Sequence, residues 1–225
     1  MRGRLVLVAV LVATLAGTAS AASNPREPKR RFNAADQARA RAIMIQRNDL
    51  GAGDWRVEAD QSHDDSNAPA GCKNPNMSDL VLTGEAETPD FSRNGSFVGS
   101  DADVWSSERD ARIAWKRAVA YPFARCMAVA LNKQGKRDPR VNLTILSSGR
   151  IPIGKLAPRT FTFRMRFRIK GPAATLAGRF SVYYFSRGRV DAALIVMSLG
   201  RPAQPVPEPL ERRLATLIAS RLKSR

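Results

Sequence analysis

Four runs with strand-like patterning follow one another between Val141 and Leu199: VNLTILS, TFTFRMRFRIK, RFSVYYFS and RVDAALIVMSL. The second alternates without a slip. Phe161, Phe163, Met165, Phe167 and Ile169 share one parity; Thr160, Thr162, Arg164, Arg166, Arg168 and Lys170 share the other. Side chains alternate between the two faces of a strand, so one face of this run is apolar and the other carries four cations in a row. The apolar parity is expected to hold the strand against the core, leaving the cations on an outer sheet face. Arg187-Gly188 reads as the tight turn joining the last two runs.

Helical patterning surrounds this meander. After a polar leader, ASNPREPKRRF, a helix is expected from about Asn33 through AADQARARAIMIQRN, with Ala38, Ala42 and Ile45 as its apolar stripe, and DLGAGDW breaks it. Trp55 and Val57 begin a short strand, EADQSHDDSNAPAG reads as an exposed loop, and MSDLVLT as a short helix. SFVGSDADVW alternates as a strand does. The segment from Ser107 to Asp110 resembles a capping box and opens a helix through ARIAWKRAVAY, with Ile113, Trp115, Ala118 and Val119 partly buried. Pro122 restarts the chain into a second helix, FARCMAVALNKQ. GRPAQPVPEP is a stiff linker to a last amphipathic helix, whose Leu210, Leu214, Leu217, Ile218 and Leu222 share a face. Strands in a run, with helices segregated at the ends, predict an α+β fold: a mainly antiparallel sheet with helices packed on one face.

Residues 1–21 read as an export signal: Arg2 and Arg4 are charged, LVLVAVLVATLAG is apolar, and Ala19-Ser20-Ala21 is a small-residue cleavage site. Cleavage is expected after Ala21. The apolar run is about 13 residues, short of the roughly 20 that a spanning helix needs. The expected organisation is therefore signal peptide 1–21, polar leader 22–33, and one domain over 34–225, in a secreted or extracytoplasmic protein of the cell envelope with no transmembrane segment in its mature chain. Loss of the two n-region arginines lowers the net charge from +17 to +15. The excess is uneven: no acid occurs between Asp138 and Asp191, while acids gather between Asp49 and Asp110. The two cysteines, Cys72 and Cys126, are expected to form a disulfide in an oxidising compartment.

Several stretches together resemble a family, the small exported actinobacterial proteins related to the extracellular sensor domain of receptor serine/threonine kinases. They are the N-terminal helix ending in DLGAGDW, TPDF from Thr88 to Phe91, the Ala-rich helix pair with FARCMAVAL, the SRGRV hairpin and the C-terminal amphipathic helix, spread from Ala38 to Leu222. The resemblance implies a helix-covered antiparallel sheet, a Cys72–Cys126 disulfide, and a ligand-sensing or binding role with no established activity. The chain departs from that pattern in being strongly basic and in carrying no kinase or transmembrane segment.

Catalytic chemistry finds little footing. His63, the only histidine, lies in a soft loop with Asp60, Asp64 and Asp65, a thin basis for a metal site or a triad. Ser220-Arg221-Leu222-Lys223 matches S-x-x-K, but at the end of a helix and with no companion motif. Asp101 and Asp103 point the same way on a strand, and read as its polar face. Asn76, Asn94 and Asn142 begin N-x-S/T sequons. No catalytic residue, metal or cofactor is expected.

The candidate site is the cationic stripe: Arg164, Arg166, Arg168 and Lys170, joined by Arg179, Tyr183 and Arg187 of the following strand, which share a parity. Mixed cations and aromatics of this kind bind polyanions. The predicted function is that of an exported, non-enzymatic sensor-like or ligand-binding protein for an unknown small or envelope ligand. The alternative is an electrostatic adaptor for anionic lipid headgroups or acidic glycans, with nucleic acid the less expected partner.

Overall fold

The computed structural model describes residues 25–58, 72, 74–120, 122, 126, 129, 142–172, 174–200 and 206–223. The signal segment, the loop around His63 and most of the helix through Cys126 lie outside these residues. Among the described residues the order is β1 (Lys29–Arg30), α1 (Ala34–Ile43), a 3-10 turn (Arg47–Leu50), β2 (Arg56–Val57), β3 (Val81–Glu87), β4 (Phe91–Arg93), β5 (Ser96–Trp105), α2 (Glu108–Ala120), β6 (Asn142–Gly149), β7 (Arg159–Lys170), β8 (Thr175–Arg187), β9 (Val190–Gly200) and α3 (Glu208–Arg221). The fold is α+β, built on a mostly antiparallel sheet.

The sheet runs β1-β3-β5-β9-β8-β7-β6, with β4 paired to β5 and β2 to β4. The meander of the last four strands is continuous: every residue from Arg159 to Lys170 has a partner in β8, ending with Lys170 opposite Thr175. The leader contributes β1, which pairs in parallel with β3 through Lys29 opposite Val81.

Helices α1 and α3 lie on one face, where the main core forms. Ala40 and Ile43 from α1 and Leu214, Ala215 and Ile218 from α3 pack on Val98, Val104, Phe185, Leu194 and Val196 of the sheet. Gly84 lets α1 approach, since a Cβ there would sit 2.4 Å from the Asp36 carbonyl oxygen. Helix α2 lies on the opposite face, with Ala111 and Ala114 against Leu82 and Trp105, and Trp115 stacked on Tyr184 at 4.7 Å.

Three local expectations are corrected. The buried stripe of α1 is Asp36, Ala40 and Ile43, while Ala38 and Ala42 are exposed. Its polar member is held by Thr83 Oγ1 at 2.6 Å and Arg189 Nη2 at 3.0 Å, so an acid occupies a position that pattern reading reserves for apolar groups. MSDLVLT is a turn leading into β3, because Leu82 is needed in the sheet opposite Trp105. The apolar parity of β7 does not face the main core. Met165, Phe167 and Ile169 form a separate cluster with Phe180, and the cationic parity lies on the same sheet face as the core. That arrangement is tolerable because α3 brings acids to meet the cations, as described below.

Cys72 and Cys126 are joined by a disulfide, with Cα atoms 5.3 Å apart. The bridge closes a segment whose ends are 54 residues apart in sequence, which restricts the unfolded chain more than the folded one.

Candidate functional site

The stripe of β7 divides into two parts with different chemistry. The first part lies under the N-terminal turn of α3. Pro207 precedes the helix, and its first turn carries Glu208 and Glu211, acids where the helix dipole favours them. Glu211 is completely buried. Its Oε2 accepts from Arg164 Nη2 at 2.7 Å and from the Tyr183 hydroxyl at 2.6 Å, and its Oε1 accepts from Arg179 Nη2. Arg164 also reaches Glu208 Oε1 at 2.6 Å and Ser181 Oγ at 3.1 Å, and Arg179 donates to the Val206 carbonyl. Burial, followed by the adjoining Glu211 carboxylate, holds the Tyr183 phenol well above its usual range. Arg164, Arg179 and Tyr183 thus meet on one face, around a carboxylate of the chain itself.

The second part is open. Arg166, Arg168 and Lys170 are exposed and make no ion pair or hydrogen bond to another side chain among the described residues. They stand in single file on β7, about 7 Å apart at two residues per step along a strand. The pairing flanks Arg168 with Thr144 of β6 and Ala177 of β8, and Lys170 with Asn142 and Thr175. Asn142, Thr144 and Thr175 are exposed too, so this end of the sheet is a shelf with a cationic row and neutral polar borders. Arg187 does not belong to it: Thr175, opposite Lys170, is twelve residues away along β8, about 40 Å at 3.3 Å per residue.

A cleft of about 580 Å³ opens at the other end of β7, between the 150–158 segment and the strand, lined by Arg150, Lys155, Ile153, Thr160 and Thr162. Both threonine hydroxyls are already engaged, Thr162 with the Ile151 backbone and Thr160 with that of Ala157.

A second charged group lies on the other sheet face. Register places Glu85 opposite Asp103, Glu87 opposite Asp101, and Asp103 opposite Asp191, so acids face acids across three adjacent strands. Directly opposed side chains are about 5 Å apart and like charges there repel. Burial, then the charges of Glu87, Asp191 and Glu85, pushes Asp101 up to about 7. Burial, then Asp101 and Glu85, raises Asp103 well above the carboxylate range. Asp191 is buried and pushed up to about 6, although Trp105 Nε1 and the Tyr184 hydroxyl donate to its Oδ2 at 3.0 and 3.2 Å. Among the described residues no group of three acids, histidines or cysteines is placed to hold a metal ion.

Sequence reasoning did not find Glu211 or the neutral borders of the shelf. Glu211 was visible in principle as a charge on the face of α3 that carries Leu214 and Ile218. The borders come from β6 and β8 and needed the register.

No protein-family model matches the sequence, and no curated protein matches it. A search of solved structures finds the extracellular domain of PknH from Mycobacterium tuberculosis, over 84% of this chain and 97% of that one, at 10% identity and a TM-score of 0.46.

Proposed function

We propose that this is an extracytoplasmic, sensor-like binding protein of the cell envelope, without catalytic activity, that takes an anionic ligand on the open shelf of its sheet. One observation carries the reading, the unequal fate of a single stripe. Arg164 and Arg179 have Glu208 and Glu211, whereas Arg166, Arg168 and Lys170 have no acidic partner among the described residues. Two cations 7 Å apart in water repel by only about 0.6 kcal/mol, so the row stands without a ligand and stays free for one.

The disulfide supports an oxidising compartment. No helix among the described residues is long and apolar enough to cross a membrane. Non-reducing mass spectrometry of the secreted protein is expected to show a chain beginning at Ala22 with Cys72 linked to Cys126. A retained N-terminus or a free thiol pair would contradict the exported reading.

The shelf is tested by charge reversal. Arg166→Glu/Arg168→Glu is expected to elute from heparin at much lower salt than wild type, with an unchanged circular dichroism spectrum because both side chains are exposed. Arg212→Glu/Arg213→Glu on α3 alters net charge equally and serves as control. Equal losses in the two variants would assign retention to net charge, and the shelf would have no role.

A further inference from the structure

We infer that the shelf is built for a linear acidic glycan, a chain in which carboxylates or phosphodiesters alternate with sugar hydroxyls. The inference rests on the anion-binding reading above and names the chemistry of the ligand. Its first support is the shape of the free charge. Arg166, Arg168 and Lys170 lie on one strand and form a line about 13 Å long, not a two-dimensional patch. A line of like charges matches a polymer carrying charge along one axis.

The second support is what borders the line. Asn142 and Thr144 on one side and Thr175 on the other are exposed, neutral hydrogen-bonding side chains in register with Lys170 and Arg168. Thr144 Oγ1 donates to Asn142 Oδ1 at 3.2 Å, so that amide keeps its nitrogen as a donor. An amide and two hydroxyls beside a cation row offer partners for hydroxyl groups flanking an acid, as in a uronate chain. A ligand that presents charge alone leaves them idle.

The third support weighs against other polyanions. Single-stranded nucleic acids need an aromatic platform for their bases. The one aromatic expected beside these cations, Tyr183, is 1% exposed and donates to Glu211. An anionic bilayer gains about 1 kcal/mol per nearby cation, which for three amounts to weak adhesion, and it draws no distinction between the row and its borders.

The test compares probes on wild-type mature protein made in a bacterial host, by titration calorimetry at moderate salt. The probes are short oligogalacturonates, linear polyphosphate of similar charge, single-stranded DNA, and phosphatidylglycerol vesicles. Oligogalacturonate should bind, and Arg168→Ala should weaken it and polyphosphate together. Asn142→Ala/Thr144→Val/Thr175→Ala should cut oligogalacturonate affinity about tenfold, the equivalent of one or two hydrogen bonds, and leave polyphosphate unchanged. Equal effects of that triple change on both probes, or no effect on either, would overturn the glycan assignment. So would tighter binding of DNA or vesicles than of oligogalacturonate. If wild type binds polyphosphate but no oligogalacturonate, the glycan inference fails and the anion-binding shelf stands. If it binds none of the four, both fail.

Discussion

Glu211→Ala is expected to destabilise the protein by about 3–5 kcal/mol, a large share of the roughly 5–15 that holds a domain together. The lost side chain is not the main cause. Removing it strands the guanidinium groups of Arg164 and Arg179, whose side chains are only 20% and 13% exposed, next to a buried phenol that loses its acceptor. Glu208 can neutralise part of that charge, being 2.6 Å from Arg164 and 4.0 Å from Arg179, but it is more than half exposed and acts through solvent. The charge argument separates from simple loss of packing in a triple variant. Arg164→Met/Arg179→Met/Glu211→Leu removes all three charges together, leaving only the Tyr183 hydroxyl without its acceptor, and should recover most of the stability, since an apolar replacement of a buried ion cluster is often neutral or better. Urea unfolding of the wild type and both variants reads the comparison. A Glu211→Ala loss below about 1 kcal/mol, or a triple variant as unstable as the single one, would show that the cluster does not fasten α3 to the sheet.

This cluster also shows where sequence reading stops. Strands β6 to β9, of eight to thirteen residues, were legible as long runs rich in β-branched and aromatic residues, and β7 alternates without a slip. Strands β1, β2 and β4, of two or three residues, are too short to show a period. Of these only β2 was anticipated, from Trp55 and Val57. In β7 the alternation was read correctly and its orientation was not. An apolar parity normally faces the core, and nothing within the run tells that Glu208 and Glu211, more than forty residues later, lie over Arg164. The stripe of α1 failed for a related reason, since Asp36 is buried through partners on β3 and on the β8–β9 turn. Asp101 and Asp103 were correctly placed on one face, but their opposite numbers Glu85, Glu87 and Asp191 depend on the register of β3, β5 and β9. Both polar groups that matter most here are tertiary, assembled across strands and helices whose pairing a single sequence does not state.

The acidic face makes stability fall as pH rises, the reverse of the usual carboxylate behaviour. An acid whose pKa is higher in the folded than in the unfolded chain keeps its proton longer when folded, so the folded state binds more protons between the two values. Asp191, moved from 3.8 to about 6, then contributes on the order of 1 kcal/mol at pH 5 that is gone by pH 8, and Asp101, moved to about 7, up to about 3 over the same span. Asp103 acts in the same direction. Because these carboxyls repel one another, their protons leave in steps that belong to the group and the separate figures are upper bounds to a sum. The opposite limb begins lower. Burial tends to raise Asp36, but hydrogen bonds from Thr83, Asn33 and Arg189 outweigh it and hold the group at about 2, so its contribution is present above about 4 and lost as pH falls towards 2. Melting temperature should therefore peak near pH 3–4 and decline by several degrees towards pH 8, where each carboxyl left charged faces another across the ladder. Asp101→Asn, which keeps the shape and removes the charge, should flatten that decline by raising the melting temperature at pH 8 while leaving it nearly unchanged at pH 4.5. A wild-type melting temperature that climbs from pH 5 to pH 8, or an Asp101→Asn variant that loses stability at pH 8, would mean that cations meet these acids and that the face is electrostatically satisfied when fully ionised.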